Sequence, residues 1–337
     1  MTRGDTTVIL PTHTKALFEA AVTRAAELLR AGEVVALPTE TVYGLAANAL
    51  DANAVAKIYE AKGRPAHNPI IVHVASQELA RRCVARWPAT ADALARAFWP
   101  GPLTMVLLRA KGIPDLVTAG GETVGVRWPS HPFIQAVIRE CGFPLAAPSA
   151  NLSNSLSPTN ATHVMKQLGG RIPLIVDGGQ SQVGIESTVI DLTCEPPAVL
   201  RPGMIHEESL IAVTGDLLSS QTKKLGGTLK SPGLLKKHYA PKARLLVLAW
   251  RDDADLRSRI PLDASRSHVI AHTHIPSAEG LAGVSVIPHD AEAFARAIYA
   301  ELHRCDEADA DLIVVEALPE TPDWRALADR LYRASAD

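Results

Sequence analysis

Two prolines and a glycine punctuate the segment Ser231-Pro-Gly-Leu-Leu-Lys-Lys-His-Tyr-Ala-Pro-Lys242, where neither a helix nor a central strand can continue. The sequence reads as α/β on both sides of it. The break therefore predicts two domains: a larger one over residues 1–208, a linker or lid over 209–243, and a smaller one over 244–337. A spacer needs no more than the prolines and the glycine. Lys236, Lys237, His238 and Tyr239 add positive charge, hydrogen-bond donors and an aromatic face, which suits an anionic, partly aromatic ligand such as a nucleotide. Taken alone, the segment also reads as a solvated basic connector.

A length of 337 residues with 47% hydrophobic composition suffices for two cores. The net charge of -2 argues against a chain whose main work is gripping a nucleic-acid backbone. Cys83, Cys141, Cys194 and Cys305 lie far apart with no CxxC spacing, so neither a zinc site nor a disulfide framework is indicated, and a reducing compartment fits best. No apolar run precedes Thr12-His13-Thr14, and no segment reaches the roughly 18 apolar residues of a membrane span. The expectation is a cytoplasmic enzyme with no membrane association.

Apolar residues at helical spacing from Leu17 to Leu29 predict a helix that Thr14 caps and Gly32 stops. Val34 to Leu37 reads as a buried strand running into the polar turn Pro38-Thr39-Glu40-Thr41, the kind of strand-end loop that α/β sheets offer to ligands. Asp51 caps a second helix, with Lys62 in its last turn and Gly63 just past its end. Further strands are expected at 70–74, 103–108, 123–127, 145–147, 174–177, 187–191 and 198–201, with helices such as 132–141 and 162–168. Several of these strands follow one another with no helix between, which predicts a mixed sheet flanked by helices. Beyond the linker, strands at 244–248, 268–271, 284–287 and 312–316 and helices at 291–304 and 324–333 predict a small Rossmann-like α/β domain.

The chain lacks GxxxxGK[ST], GxGxxG after a strand, and GxSxG, so a bound nucleotide would be held in another way. Lys62, Arg64 and Arg201, with the Ser149-Ala-Asn151 turn and Ser157, can neutralise and hydrogen-bond a triphosphate. Each has a plainer reading: Lys62 and Arg64 as surface residues at a helix end, Ser149 and Asn151 as turn formers. Trp99-Pro-Gly-Pro102 reads as a structural turn. His268, His272 and His274 alternate as on one strand face, but no acidic residue or cysteine stands among them, and solvent-facing histidines are expected rather than a metal site.

Blocks along the chain fall in one order: Leu37-Pro-Thr-Glu-Thr-Val-Tyr-Gly44, Lys62-Gly-Arg-Pro65 with Asn68-Pro69 and His73, Trp99-Pro-Gly-Pro-Leu-Thr104, Val124-Gly-Val-Arg-Trp-Pro129, Pro148-Ser-Ala-Asn151, Ser157-Pro-Thr159, Asp177-Gly-Gly179, Glu186-Ser-Thr-Val-Ile-Asp191 and Leu200-Arg-Pro-Gly203. With the linker, they resemble the Sua5 branch of the Sua5/YciO/YrdC family over residues from about 20 to 243. The resemblance implies a YrdC-like twisted mixed sheet followed by a C-terminal Sua5 domain. It implies a nucleotidyltransferase, a threonylcarbamoyl-AMP synthase using L-threonine, bicarbonate or CO2, and ATP with Mg²⁺ on its phosphates. The product would pass to a tRNA threonylcarbamoyltransferase complex that forms N6-threonylcarbamoyladenosine (t6A) at tRNA position 37.

The same resemblance assigns Thr41, His73, Arg127, the backbone at Ala147, and Ser187 to L-threonine. It assigns Lys62, Arg64, Asn68, Thr123, Ser149, Ser157, Arg201 and Tyr239 to ATP, with Lys62 and Arg64 stabilising charge on the leaving pyrophosphate and no metal ligand among the side chains. A zwitterion suits this set, since a guanidinium binds its carboxylate while hydroxyls and imidazole meet its amine and side chain. Asn154 stands where the family commonly has glycine, a place asparagine fills well because it tolerates left-handed backbone. The alternative from another class is an RNA-binding module of the YrdC/YciO type with direct tRNA contact. Carbamoyl transfer in hydrogenase maturation is a further rival, but the zinc-finger cysteines and extra modules it needs are lacking.

Overall fold

A computed structural model of the chain describes residues 6–65, 68–218, 239–260 and 264–335. These form two compact units: 6–153, 158–182 and 186–218 in the first, and 154–157, 183–185, 239–260 and 264–335 in the second. Most of the expected linker, with Lys236, Lys237 and His238, lies outside the described residues. The boundary placed after residue 208 falls inside the helix Glu207–Thr214, whose Leu210 is buried in the core of the first unit.

The first unit is built on ten strands: β1 (Val8–Pro11), β2 (Val35–Leu37), β3 (Gly44–Asn48), β4 (Val72–His73), β5 (Leu103–Leu108), β6 (Thr123–Arg127), β7 (Leu145–Ala146), β8 (Leu174–Asp177), β9 (Thr188–Asp191) and β10 (Ala198–Arg201). They form one sheet in the order β1-β8-β2-β3-β7-β4-β6-β5-β9-β10. It is mixed, as the run of strands without helices requires: β4 and β6 pair in parallel, β5 and β6 antiparallel. Alternation along each strand feeds two cores, one per face. Val35 and Leu37 join Leu174, Val176 and the helix Pro132–Cys141 on one side, while Ala36, Leu45, Ala47 and Ile175 enter the larger core on the other.

Local chemistry sets the helix ends. Thr14 accepts from the Leu17 amide at the start of Lys15–Arg30, and Asp51 accepts from Asn53 and Ala54 at the start of Ala52–Lys62. The latter helix stops at Gly63, whose φ of 58° lies in the left-handed region that glycine enters at no steric cost. Among the described residues no helix is long and apolar enough to cross a membrane.

The second unit carries four parallel strands, β11 (Arg244–Leu248), β12 (Ser267–Ala271), β13 (Gly283–Val286) and β14 (Leu312–Glu316), in the order β11-β14-β12-β13. The helices Ala291–Glu307 and Arg325–Ala334 present buried apolar faces to it. The histidines at its strand ends depart from expectation. β12 stops at Ala271, and His268 and His272 are buried rather than facing solvent. Only His274 remains half-exposed, and a carboxylate absent from the local sequence, Glu316, comes from β14 to lie 2.7 Å from its Nδ1. Pairing of distant strands supplies what the segment itself lacks.

Candidate active site

The site of the first unit grows from strand register. β4, β6 and β5 are neighbours, and their pairing sets His73 beside Arg127 and Arg127 beside Thr104. Arg127 ends β6 in a run of buried residues, so its charge must find partners inside the protein. Nε donates to Gly101 O at 3.3 Å, Nη1 donates to Thr41 Oγ1 at 2.8 Å, and Nη2 lies 2.7 Å from Glu40 Oε1. Nη2 pairs with Glu40 by charge but has no hydrogen-bond partner among the described residues, so its two N–H groups remain for the carboxylate of a ligand.

Thr41 and Glu40 come from the tight connection between β2 and β3. Thr39 fixes that turn, its Oγ1 donating to Val42 O at 2.6 Å and accepting from the Thr41 amide at 3.2 Å. Ser181 ties down the Thr39 carbonyl from a separate loop at 3.0 Å. Burial alone would raise the Glu40 carboxyl, but the Arg127 guanidinium, with the Ser130 amide 3.0 Å from Oε1, outweighs it and holds Glu40 below the usual carboxylate range. His73 is driven the other way from imidazolium: burial, then Arg127, pushes it down to about 3. It is a neutral ring, and with Nδ1 directed at Ile71 O at 3.3 Å its Nε2 is the acceptor.

The other half of the site gathers cations. Lys62, the last residue of its helix, is 2% exposed, and Arg64 is 8% exposed, which removes the reading of both as surface residues. Lys62 Nζ donates to the carbonyls of Ser149 and Asn151, each at 2.5 Å. Burial first, and repulsion from Arg64 second, hold its pKa well below that of an ordinary lysine. Arg64 reaches Asn68 O and Pro69 O at 3.2 and 2.8 Å. The Asn68 side chain is buried, and neither its Oδ1 nor its Nδ2 has a partner among the described residues. Ala147, Pro148 and Ser149 run alongside Gly44, with a bridge between Gly44 and Ser149 and the Ala147 Cβ only 3.3 Å from where a side chain on Gly44 would begin.

The two sets meet at Ser187. Its hydroxyl lies 2.8 Å from Thr104 Oγ1 and accepts from Arg201 Nη2 at 3.1 Å, while its carbonyl accepts from Arg201 Nε at 3.0 Å. A residue expected for the amino acid and one expected for the nucleotide are thus hydrogen-bonded to each other. Thr123 lies at the other end of β6 from Arg127. It opens β6 opposite Leu108, about 13 Å along the strand from Arg127, though on the same face. Ser157 and Tyr239 belong to the second unit. There Ser157 O lies 3.1 Å from His303 Nε2, and Tyr239, 1% exposed with φ of 62°, packs its ring 6.2 Å from Tyr299 and 5.4 Å from the Arg330 guanidinium. Asn154 adopts a φ of 66°, the left-handed conformation expected for it.

Sequence reading left two members of the site unassigned, Glu40 and Thr104. A signal for Glu40 existed: an arginine inside an apolar strand demands a buried anion, and Glu40 is a carboxylate just past the end of another apolar run. Thr104 carried no comparable signal, because its role follows from pairing with β6 and β9.

Comparison with known proteins identifies the family. The Sua5/YciO/YrdC family model, described as telomere recombination, matches residues 27–203, and a second model, the threonylcarbamoyl-AMP synthase C-terminal domain, matches residues 205–336. The threonylcarbamoyl-AMP synthase of Pyrococcus abyssi is 40% identical over 92% of this chain and 93% of its own length, and that of Bacillus subtilis is 40% identical over 93% and 92%. The crystal structure of P. abyssi Sua5 complexed with L-threonine superposes with a TM-score of 0.89 at 39% identity, covering 98% of each chain. The chain belongs to the Sua5/YciO/YrdC family, with the Sua5-type C-terminal domain.

Proposed function

We propose that this protein is a threonylcarbamoyl-AMP synthase, converting L-threonine, bicarbonate and ATP to L-threonylcarbamoyl-AMP, pyrophosphate and water for t6A formation on tRNA. The observation that carries the reading is the buried Arg127, held by Thr41, Glu40 and Gly101 O, with two N–H groups left for a carboxylate. The relative crystallised with L-threonine and matched over nearly the whole chain supports threonine as the amino acid.

In this reading the amine of threonine is carboxylated to a carbamate, whose oxygen attacks the α-phosphate of ATP and expels pyrophosphate. No covalent enzyme nucleophile is required. The pocket contributes position and charge: Arg127 orients the amino acid, while Lys62, Arg64 and Arg201 neutralise phosphate charge as it builds on the leaving group. The Ser187–Arg201 contact is where the carbamate and the α-phosphate would meet. Among the described residues no group of three or more His, Cys, Asp or Glu is placed to hold a metal ion, so no step is assigned to a protein-held ion, and Mg²⁺ is proposed to enter on the phosphates of ATP. Tyr239 would contact the nucleotide, and the product would go to the tRNA-modifying enzyme.

The direct test is pyrophosphate release. It should require ATP, threonine and bicarbonate together, and omission of any one should abolish it. Salt-dependent tRNA binding with no such turnover would instead favour an RNA-binding module.

A further inference from the structure

Glu40 has one more oxygen than its known partners use. Oε1 accepts from the Ser130 amide at 3.0 Å and lies 2.7 Å from Arg127 Nη2 as an ion pair. Oε2 is buried on a residue only 5% exposed and has no hydrogen-bond partner among the described residues. An anionic oxygen withdrawn from water and left unbonded is costly, and such an atom in a pocket marks where a donor is missing.

We propose that Glu40 is a specificity-determining residue of the amino-acid pocket: Oε1 steadies Arg127, and Oε2 accepts hydrogen bonds from the α-ammonium of the substrate, selecting α-amino acids over acids that lack the amine. The proposal rests on the threonine reading above. Three observations carry it. The amine and carboxylate of an α-amino acid are borne by one carbon, and Oε2 belongs to the carboxylate that already touches the guanidinium, so one small zwitterion can reach both. Arg127 and Glu40 cancel each other and His73 is a neutral ring, so at this pair a bare carboxylate gains little net attraction while a zwitterion meets an opposed charge at each end. The remaining acceptors are partly engaged: Thr41 Oγ1 already accepts from Arg127 and bonds Thr39, which leaves His73 Nε2 as the competing anchor for the amine.

Equilibrium binding of two ligands to the full chain tests this: L-threonine, and (R)-3-hydroxybutyrate, which is threonine without its amine. The wild-type protein should prefer threonine by about a hundredfold or more. In Glu40→Gln, threonine should weaken at least about tenfold, while hydroxybutyrate should bind as well or better, because the Arg127 charge is no longer compensated. A parallel loss of both ligands would mean that Glu40 acts only through Arg127, and an unchanged threonine affinity would leave the amine to His73; either overturns the proposal. A wild-type protein that binds the two ligands within a fewfold overturns it without any variant. Retained ATP binding reports that the variant is folded. Should Glu40→Gln fail to fold, Glu40→Asp keeps the charge but draws the second oxygen back, and the same selective weakening of threonine is expected. Absence of threonine binding by the wild-type protein would sink the threonine reading itself.

Discussion

Two buried carboxylates, one in each unit, show what separates a site from a scaffold. Glu40 and Glu316 are 5% and 4% exposed, both stand at the end of apolar strand sequence, and both are held below the usual carboxylate range. Their surroundings differ. Glu316 is saturated: its oxygens accept from the amides of His272, Thr273 and His274 at 2.7 to 3.1 Å and from His274 Nδ1 at 2.7 Å. Among the described residues, Glu40 leaves one oxygen without a partner, beside an Arg127 whose Nη2 also has no hydrogen-bond partner and within the same unit as the unpartnered Asn68 amide. The second sheet spends its polar groups on locking the loop after β12. The first leaves some of its own uncommitted among the described residues, and these are where a ligand is proposed to bind.

The sharpest way to break this contrast is Arg127→Ala. The variant removes the carboxylate anchor and strands Glu40 as a buried, uncompensated charge, a loss of about 2 to 5 kcal/mol in threonine binding. The threonine KM should rise by about two orders of magnitude or more, with the ATP KM nearly unchanged. An unaltered threonine KM in a folded variant would take Arg127 out of the site.

Lys62→Ala should come next, lowering kcat by about a hundredfold even at saturating threonine, because the cation faces charge that grows as pyrophosphate departs. Stability should fall by about 1 to 3 kcal/mol, because the Ser149 and Asn151 carbonyls lose their donor, so kcat is read per folded molecule. A large fall in Tm with kcat per folded molecule preserved would make Lys62 structural.

Glu316→Gln is the matching test on the scaffold side. Exchanging the carboxylate for an amide turns an NH2 toward backbone amides that need an acceptor, which should cost about 1 to 3 kcal/mol in the stability of the second unit. Threonine and ATP KM values should not move. A changed KM without a change in Tm would place Glu316 in a functional role and dissolve the contrast.

Much of this was legible in the chain. β5, β6, β8, β10, β11 and β14 take the bounds their sequences predict, because each is a mainly apolar run closed by turn residues or a charged end. β3 was not foreseen. Gly44-Leu-Ala-Ala-Asn48 has no β-branched residue, and it is a strand only because β2 and β7 pair with it on either side. β1 escaped for a different reason: it is a short edge strand whose apolar run ends at once in Pro11. At the site the residue types were readable but their partnerships were not. Arg127 and Lys62 announce chemistry through charge in apolar sequence, whereas the Glu40–Arg127 pair and the Thr104–Ser187–Arg201 chain exist only once distant strands are in register.

The smallest expected effect concerns protons, and it probes the reserve in the cation set. In the unliganded protein burial and Arg64 favour the neutral amine of Lys62, so its pKa lies well below the ordinary lysine value. A triphosphate beside it reverses the balance, because an adjacent polyanion stabilises the protonated form and raises that pKa. Between the two values the complex holds more protons than the free protein. ATP binding should therefore take up a proton, to a limit of about one per site, and affinity should fall as pH rises through that window. Calorimetry in buffers of different ionisation enthalpy reads the uptake directly, after subtracting protons bound or released by ATP itself. Lys62→Met should remove the uptake while leaving the threonine-binding heat in place. Equal uptake in both proteins would move the proton to another group, and no uptake in the wild-type protein would mean that Lys62 is already charged before the nucleotide arrives.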